Sequence, residues 1–233
     1  MDRMLYVAMT GAQQTLRGQG LIAHNLANVN TVGFRKDMAD ARSMQAFSDD
    51  FALPTRVYAM TERPGIDLTE GKVMTTGRDL DIAVKGEGWI AIQLPDGSEA
   101  YTRNGELQLD VNGQLTTANG QPVMGNGGPI AIPPAEKIQI GEDGTISVRP
   151  LGEAPENLVV VERIRLVKPD GENPLYKDAT VRIVSGALEG SNVNPAEALV
   201  SMIDASRRFE LQVKMMSTAQ DNASATDQLL KLE

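Results

Sequence analysis

Both ends of the chain carry mainly apolar residues at alternating intervals of four and three positions, and this repeat constrains the fold more than any other feature. The N-terminal repeat comprises Leu5, Met9, Ala12, Leu16, Gln19, Ala23 and Leu26. The C-terminal repeat comprises Leu199, Met202, Ser206, Phe209, Val213, Met216, Gln220, Ala223, Asp227 and Leu230. Such spacing places one stripe along a helix and is typical of a coiled-coil seam. Because isolated helices are marginal in water, we expect the two terminal helices to pair with each other.

Asparagine clusters mark the inner end of each predicted helix. The segment "HNLANVNTVGF" (24–34) follows the first repeat, and "SNVNPAE" (191–197) precedes the second. Asparagine tolerates the left-handed conformation and caps helix ends, and Asn194-Pro195 with Glu197 is a capping-box start signal. The clusters therefore predict a chain-reversal motif, formed by Asn25, Asn28, Asn30, Thr31, Gly33, Phe34, Asn192 and Asn194.

The middle of the chain, residues 77–191, has the pattern of an antiparallel β domain. Short alternating runs are separated by Asn-Gly and Asp-Gly pairs, which supply the positive φ angles of tight hairpins. We expect Asn104-Gly105 and Asn112-Gly113 to form such hairpin tips. Residues 35–76 predict an extended connector with one short strand near 72–75. The fold class is thus α+β: coiled-coil helices at 1–34 and 192–233, and a central partly closed barrel or sandwich.

Composition excludes several classes of function. The formal net charge is −9, which argues against nucleic acid as a partner. The chain has no cysteine, which excludes disulfide frameworks and thiol catalysis. The N-terminus does not have the pattern of a secretory signal peptide, and no run of residues is apolar enough to span a membrane.

Candidates for chemistry are few. His24 is the one histidine, and it is expected at the end of the first helix rather than in a catalytic site. Asp79, Asp81 and Glu87 could suggest a glycosidase pair. However, Asp79 and Asp81 fall on one side of an alternating strand, which favours a solvated face. We therefore predict no enzyme activity, no cofactor, no metal and no small-molecule substrate. The alternatives from the residues alone are a monomeric β-domain adhesin and a carbohydrate-active enzyme.

Three segments resemble the bacterial flagellar basal-body rod and hook proteins. They are "NLANVNTVGFRK" (25–36), "LDIAVKGEGWIAIQLPDGSEAYTRNGELQLDVNGQLTTANGQPV" (80–123) and "LEGSNVNPAEALVSMIDASRRFELQVKMM" (188–216). Their order is that of the family, and they lie near the start, in the middle and near the end of the chain. Trp89 in "GEGWIAIQ" and the segment "DASRRFELQVK" are most similar to proximal rod subunits, with a distal rod subunit as the alternative.

The resemblance implies a structural subunit that polymerises helically into the hollow drive shaft of the basal body. Its implied partners are other copies of itself, the proximal and distal rod proteins and the type III export apparatus. It implies export from the cytoplasm without a cleaved signal peptide, and a place in the rod across the periplasm. The terminal helices would line the inner tube, and the β domain would face outward. The expected subunit-packing seam comprises Leu5, Met9, Ala12, Leu16, Ala23, Leu26, Leu199, Met202, Phe209, Val213, Met216 and Leu230.

Overall fold

The computed structural model describes residues 2–45, 57–152, 157–170, 173–177 and 180–230, and it confirms the α+β class. The chain divides into two compact units. Unit 1 comprises residues 1–29, 36–67 and 193–233, and unit 2 comprises residues 30–35 and 68–192. No helix in the described part of the chain has a long enough apolar stretch to cross a membrane.

Unit 1 is built on the two terminal helices, α1 (Asp2–Ala27) and α2 (Pro195–Leu230). The predicted N-cap of α2 is confirmed, since Asn194 Oδ1 accepts hydrogen bonds from the amides of Ala196 (3.0 Å) and Glu197 (3.4 Å). The Glu197 carboxylate does not complete a capping box. It lies instead 3.4 Å from Lys36 Nζ.

Unit 1 also contains a β-hairpin within the predicted connector. Strand β1 (Asp37–Gln45) pairs antiparallel with β2 (Val57–Ile66), and Asp37 lies opposite Ile66. The sequence analysis missed this hairpin because β1 contains no Val, Ile or Thr, the β-branched residues that favour strands. The predicted short strand is confirmed as β3 (Val73–Thr75), which belongs to unit 2.

Unit 2 holds the remaining strands. They are β4 (Ile82–Lys85), β5 (Trp89–Gln93), β6 (Glu99–Thr102), β7 (Leu107–Leu109), β8 (Leu115–Thr117), β9 (Ala135–Ile140), β10 (Thr145–Pro150), β11 (Val159–Arg163), β12 (Leu166–Asp170), β13 (Asn173–Lys177), β14 (Arg182–Ser185) and β15 (Ala187–Glu189). Their apolar side chains form one buried cluster that includes Ile82, Ile90, Leu107, Leu115, Ile146 and Ile183.

The strands of unit 2 pair antiparallel, as predicted, in several small sheets. Two larger sheets have the orders β13-β12-β5-β6 and β11-β10-β9. The pairs β14-β4, β15-β3 and β7-β8 form two-stranded sheets. The expected partly closed barrel is not found, because no sheet closes on itself among the described residues. Prolines explain part of this. Pro122 and Pro129 lie at isolated bridges, where the missing N–H prevents a continuous ladder.

The two predicted hairpin tips have different outcomes. Gly113 has φ +76° in the turn between β7 and β8, as predicted. The prediction for Gly105 is wrong, because this residue is not among the glycines with positive φ. A Cβ at Gly105 would lie only 1.7 Å from the carbonyl oxygen of Ile82. Glycine is therefore required there for close backbone approach rather than for a turn.

Candidate functional site

Helices α1 and α2 pack against each other through a contact that combines shape and hydrogen bonding. The Thr15 hydroxyl lies 3.0 Å from Gln212 Oε1 and 2.9 Å from the carbonyl oxygen of Gly11. A Cβ built at Gly11 would lie 3.0 Å from Gln212 Nε2. The Gln212 side chain thus lies against the bare backbone of Gly11, and its Oε1 shares the Thr15 hydroxyl proton with the Gly11 carbonyl oxygen.

The two helices run in opposite directions. Near the end of α1, Asn25 is hydrogen-bonded to Asp37, and the neighbouring Lys36 is paired with Glu197 in the first turn of α2. Comparable lengths of helix separate Asn25 from Gly11 and Glu197 from Gln212. The chain therefore returns along itself, as the pairing of the terminal repeats predicted.

The half-buried stripes of the two helices share every second position with the predicted ones. At the other positions, the half-buried residue comes one place earlier in the sequence than the predicted residue. On α1, the buried or half-buried positions include Leu5, Ala8, Ala12, Thr15, Gln19, Ile22 and Leu26. On α2, they include Ala198, Met202, Ala205, Phe209, Gln212, Met216, Ala219, Ala223 and Thr226. In several places a small residue is half-buried or buried where the sequence analysis chose a larger apolar neighbour, as with Ala8 beside Met9 and Ala198 beside Leu199. Small side chains let two helix backbones approach closely, which the apolar pattern alone does not reveal.

The displaced members of the predicted seam face outward. Met9, Leu16, Ala23, Leu199 and Val213 are exposed, and the side chain of Leu230 lies outside the described residues. Further large apolar residues are exposed on the same helices. Together they form what we term the outer helix surface, which comprises Tyr6, Met9, Leu16, Leu199, Val200, Ile203, Leu211, Val213 and Met215. So many exposed apolar side chains on two paired helices are typical of an interaction surface.

The first part of the chain-reversal motif closes α1 in unit 1. The buried carboxamide of Asn25 donates a hydrogen bond to the Asp37 carbonyl and accepts one from the Asp37 amide, both at 2.9 Å. Asn28 caps the helix, since its Nδ2 donates to the carbonyl of His24 at 3.0 Å. His24 Nδ1 lies 3.0 Å from Asp37 Oδ2, so the histidine sits at the helix end, as expected.

The second part of the motif belongs to unit 2. Gly33 has φ +69°, and its amide donates a 2.7 Å hydrogen bond to the carbonyl of Glu189. The carbonyl of Phe34 accepts a hydrogen bond from the Asn192 amide at 3.3 Å. The Asn192 side chain donates to the Thr69 carbonyl at 3.1 Å. These contacts join segments from both ends of the chain within one unit, whereas Asn30 and Thr31 are exposed.

A buried ion network, which the sequence analysis missed, lies under this junction. Glu189 contacts Arg35 Nη2 at 2.6 Å and Arg103 Nη1 at 3.0 Å, and all three side chains are at most 3% exposed. The Gly71 amide donates to the same carboxylate at 2.8 Å. Arg103 also lies 5.6 Å from the centre of the Trp89 ring, within cation–π range.

Burial and charge pairing act in opposite directions on the pKa of one arginine in this network. Burial lowers the pKa of Arg103 below its ordinary value, while the Glu189 carboxylate acts in the opposite direction. A buried charge of this kind is tolerated only when it is paired and hydrogen-bonded. A sequence signal for this network was Arg35, which directly follows Gly33-Phe34 in the segment "NLANVNTVGFRK".

The candidates for chemistry are not assembled into a site. Asp79 and Glu87 are exposed. The expectation of a solvated face is wrong for Asp81, which is 1% exposed and accepts a 2.6 Å hydrogen bond from the Thr76 hydroxyl. Within the described residues, no three His, Asp or Glu side chains are grouped so as to hold a metal ion.

Three family models match the chain. The model for the flagella basal body rod protein matches residues 5–35. The model for the flagellar hook protein FlgE/F/G D1 domain matches residues 83–148. The model for the C-terminal region of the flagellar basal body rod FlgEFG proteins matches residues 184–229. The matches therefore include both terminal helices and the central strands.

Curated relatives align over the full chain. The flagellar basal-body rod protein FlgF of Escherichia coli K12 is 42% identical, and that of Salmonella typhimurium LT2 is 40% identical, each over 100% of both chains. The rod protein FlgG of Buchnera aphidicola subsp. Schizaphis graminum is 32% identical over 97% of this chain and 98% of its own. The relatives thus include FlgF and FlgG proteins, with higher identity in the two FlgF proteins named here.

Proposed function

The chain belongs to the flagellar basal-body rod protein family, and on that premise we propose that it occupies the proximal part of the rod. It is a structural subunit of the basal-body rod rather than an enzyme. In the proximal rod, copies of the chain would stack helically on one another and on the other rod proteins. The resulting hollow shaft would transmit torque and enclose the export channel.

The outer helix surface is the observation that supports assembly into a shaft, and the 42% and 40% identity to two FlgF proteins supports the proximal position. The apolar residues of this surface are exposed although α1 and α2 already pack against each other, and Leu211 and Ile203 are 62% and 54% exposed. In water, such side chains gain roughly 25 cal/mol for each Å² that a partner covers. Neighbouring copies and related rod subunits present equivalent helices, so they are suitable partners for this surface.

The predicted packing seam then has two roles. We propose that Leu5, Ala12, Leu26, Met202, Phe209 and Met216 hold the two helices together in a coiled-coil seam, whereas Met9, Leu16, Ala23, Leu199 and Val213 pack between subunits. The helices would form the inner rod domain, and residues 77–191 would form the outward-facing domain. A shaft built this way resists shear because each helix is held both within its subunit and by its neighbours.

The proposed partners and route follow from the family. We propose that the chain contacts other rod proteins and itself, and that the flagellar export apparatus delivers it across the inner membrane without a cleaved signal peptide. The rod would then hold it in the periplasm. We propose no role for nucleic acid, a small-molecule substrate or a cofactor.

The test is a chromosomal deletion complemented by a tagged copy of the chain. We expect deletion to abolish swimming on soft agar and the tagged copy to restore it. We also expect the tag in purified basal bodies, at the base of the rod in a density map. Normal swimming after deletion, or basal bodies that lack the chain, would overturn the proposal.

A distal position is the second candidate, because FlgG proteins also align over nearly the whole chain. The density map separates the two positions. Tagged subunits at the outer part of the rod would support the distal assignment, while the function as a structural rod subunit would stand.

A further inference from the structure

Asparagine followed by glycine is the dipeptide most prone to spontaneous deamidation, and the chain contains four such pairs. They are Asn104-Gly105, Asn112-Gly113, Asn119-Gly120 and Asn126-Gly127. In this reaction the glycine amide nitrogen attacks the side-chain carbonyl carbon of the asparagine. Glycine has no Cβ to obstruct the approach, so the surroundings of its amide in the fold determine which pair reacts fastest.

Hydrogen bonding protects two of the four pairs. The Gly113 amide donates to the carbonyl of Asp110 at 2.9 Å, and the Gly120 amide donates to the carbonyl of Thr117 at 2.8 Å. Each bond holds the amide proton on a carbonyl acceptor, and this proton must leave before the nitrogen can attack. These two pairs are therefore protected although both asparagines are exposed.

Burial protects the third pair. Gly105 is buried, and its backbone packs so closely on the Ile82 carbonyl that a Cβ would not fit. The Oδ1 of Asn104 accepts a hydrogen bond from the Glu106 amide at 3.0 Å. Ring closure between Asn104 and Gly105 would require this packed backbone to move.

The fourth pair, Asn126-Gly127, has neither kind of protection. Both residues are exposed, and they lie at the tip of a loop in which the Gly125 amide donates to the Gly128 carbonyl at 2.7 Å. Within the described part of the chain, neither the Gly127 amide nor the Asn126 carboxamide has a hydrogen-bond partner. The reacting nitrogen and the carbonyl carbon that it attacks are therefore both open to solvent.

We propose that the fold directs spontaneous deamidation of this chain to Asn126. Solvent base removes the Gly127 amide proton, the nitrogen bonds to Asn126 Cγ, and the Cγ–Nδ2 bond breaks to release ammonia. Water then opens the cyclic imide at either of its carbonyls, which leaves aspartate or isoaspartate. One water is consumed for each ammonia released, and nothing is oxidised or reduced. The reaction does not depend on the position of the chain in the rod.

The modification adds a negative charge to a loop that already contacts a carboxylate. The Asn126 amide donates to Glu162 Oε1 at 3.3 Å, and a Cβ at Gly127 would lie 3.5 Å from Glu162 Oε2. A carboxylate on residue 126 would repel that of Glu162. Deamidation should therefore loosen the contact between this loop and β11.

Peptide mass spectrometry of the full-length chain tests the proposal. The folded chain is incubated in mildly alkaline buffer prepared with heavy-oxygen water, so that each new carboxyl group carries the label. It is then digested at acidic pH in ordinary water, and fragment ions locate each labelled product. We expect Asn126 to accumulate product at least about fivefold faster than Asn112 and Asn119, the effect of one hydrogen bond.

Two controls separate the effect of the fold from that of the dipeptide. In guanidinium chloride, which unfolds the chain, we expect the four pairs to react at similar rates. Gly127→Ala should suppress the reaction at residue 126, because its methyl group obstructs the attacking nitrogen. The fold should accept this alanine, since Gly127 is not among the glycines with positive φ and the new Cβ would make only an ordinary contact with Glu162.

Three results would overturn the proposal. The first is a folded chain in which Asn104, Asn112 or Asn119 reacts as fast as Asn126. The second is the same preference for Asn126 in guanidinium chloride, which would assign it to the local sequence and not to the fold. The third is an unchanged rate at Asn126 in the Gly127→Ala variant.

Discussion

The side chain of Asn25 hydrogen-bonds to the backbone of Asp37 in the way that a neighbouring strand would. The Asn25 carboxamide both donates to and accepts from the backbone of Asp37, at 2.9 Å in each direction. This is the hydrogen-bonding pattern of two adjacent peptide groups, and it joins the last turn of α1 to the first residue of β1. Asparagine is suited to this role because its amide carries both a donor and an acceptor.

Asn25→Ala is predicted to weaken unit 1. It leaves the amide and carbonyl of Asp37 without their partner near a buried position, at a cost of about 1–3 kcal/mol. Far-ultraviolet circular dichroism during urea unfolding reports the loss, since the helices dominate that signal. Asn30→Ala, at an exposed position, is the control and should stay within about 0.5 kcal/mol of the parent. Equal effects of the two substitutions would contradict the structural role of the pair.

Glu189→Gln is predicted to be far more harmful than the same substitution at the surface. It leaves the buried guanidinium groups of Arg35 and Arg103 without a counter-charge, which costs about 3–5 kcal/mol. Trp89, the single tryptophan, contacts this network and provides a fluorescence probe of unfolding in unit 2. Glu87→Gln breaks only the exposed pair with Lys168, so we expect a change below about 1 kcal/mol. Similar losses in both variants would show that the network is not a stabilising element.

The two terminal helices show how far sequence reasoning extends. Their existence and their packing against each other followed from the spacing of apolar residues, whereas the coiled-coil seam stays a prediction. The facing positions did not, because Ala8 and Ala198 are followed by the larger apolar residues Met9 and Leu199, which the apolar pattern favours as seam members. Which stripe is buried depends on the close approach of two backbones. That approach is a property of the pair and not of either helix.

The chain-reversal motif and the ion network beside it show a second limit of sequence reasoning. The asparagines of the chain-reversal motif were identified by local chemistry, and Asn25, Asn28, Asn192 and Asn194 each make a defined backbone contact. The buried Arg35–Glu189–Arg103 network was missed because its members are distant in sequence. A charged residue usually predicts an exposed side chain, and nothing local distinguishes an arginine that finds a buried partner far along the chain.

Gly113→Ala is predicted to destabilise unit 2 more than Gly97→Ala. Both glycines have positive φ, +76° and +84°, so each alanine bears a conformational cost of about 1–2 kcal/mol. At Gly113 the new Cβ would also lie 2.7 Å from the carbonyl oxygen of Ile132, whereas at Gly97 it meets no atom within 4 Å. Urea unfolding followed by Trp89 fluorescence gives both values. An equal effect would mean that the Ile132 carbonyl moves away freely.

Asp143 is predicted to make unit 2 sensitive to acid. Hydrogen bonds from the Thr145 hydroxyl (2.7 Å) and amide (3.1 Å) hold the pKa of the Asp143 carboxyl below its usual value. A lowered folded-state pKa stabilises the fold above the unfolded pKa of about 3.9, and this stabilisation is lost as the pH falls through the folded value. The difference in unfolding free energy between the parent and Asp143→Asn should therefore shrink on acidification below about pH 4. In a Thr145→Val background the pH dependence of this difference should be smaller, and an unaltered dependence would exclude the hydrogen bond as its cause.

The outer helix surface provides the decisive test in cells. Leu211→Asp and Ile203→Asp place a carboxylate at positions that are exposed in the single chain, so each variant should fold and be produced at parental levels. In the assembled rod the same carboxylate would be buried without a partner at every subunit contact, at a cost of several kcal/mol each. We therefore expect both variants to abolish swimming on soft agar and to be absent from purified basal bodies.

Matched charge changes away from this surface should be silent. Asp79→Asn and Glu87→Gln alter exposed carboxylates of unit 2, and exposed charges contribute little to folding. Cells that carry these variants should swim like the parent. Phe209→Asp belongs to a third group, because Phe209 lies on the half-buried face of α2. It should lower helical circular dichroism of the purified chain as well as motility, whereas Leu211→Asp should affect motility alone. If Leu211→Asp swims while Asp79→Asn or Glu87→Gln does not, the assembly surface is not on the helices, and a functional site must be sought in unit 2.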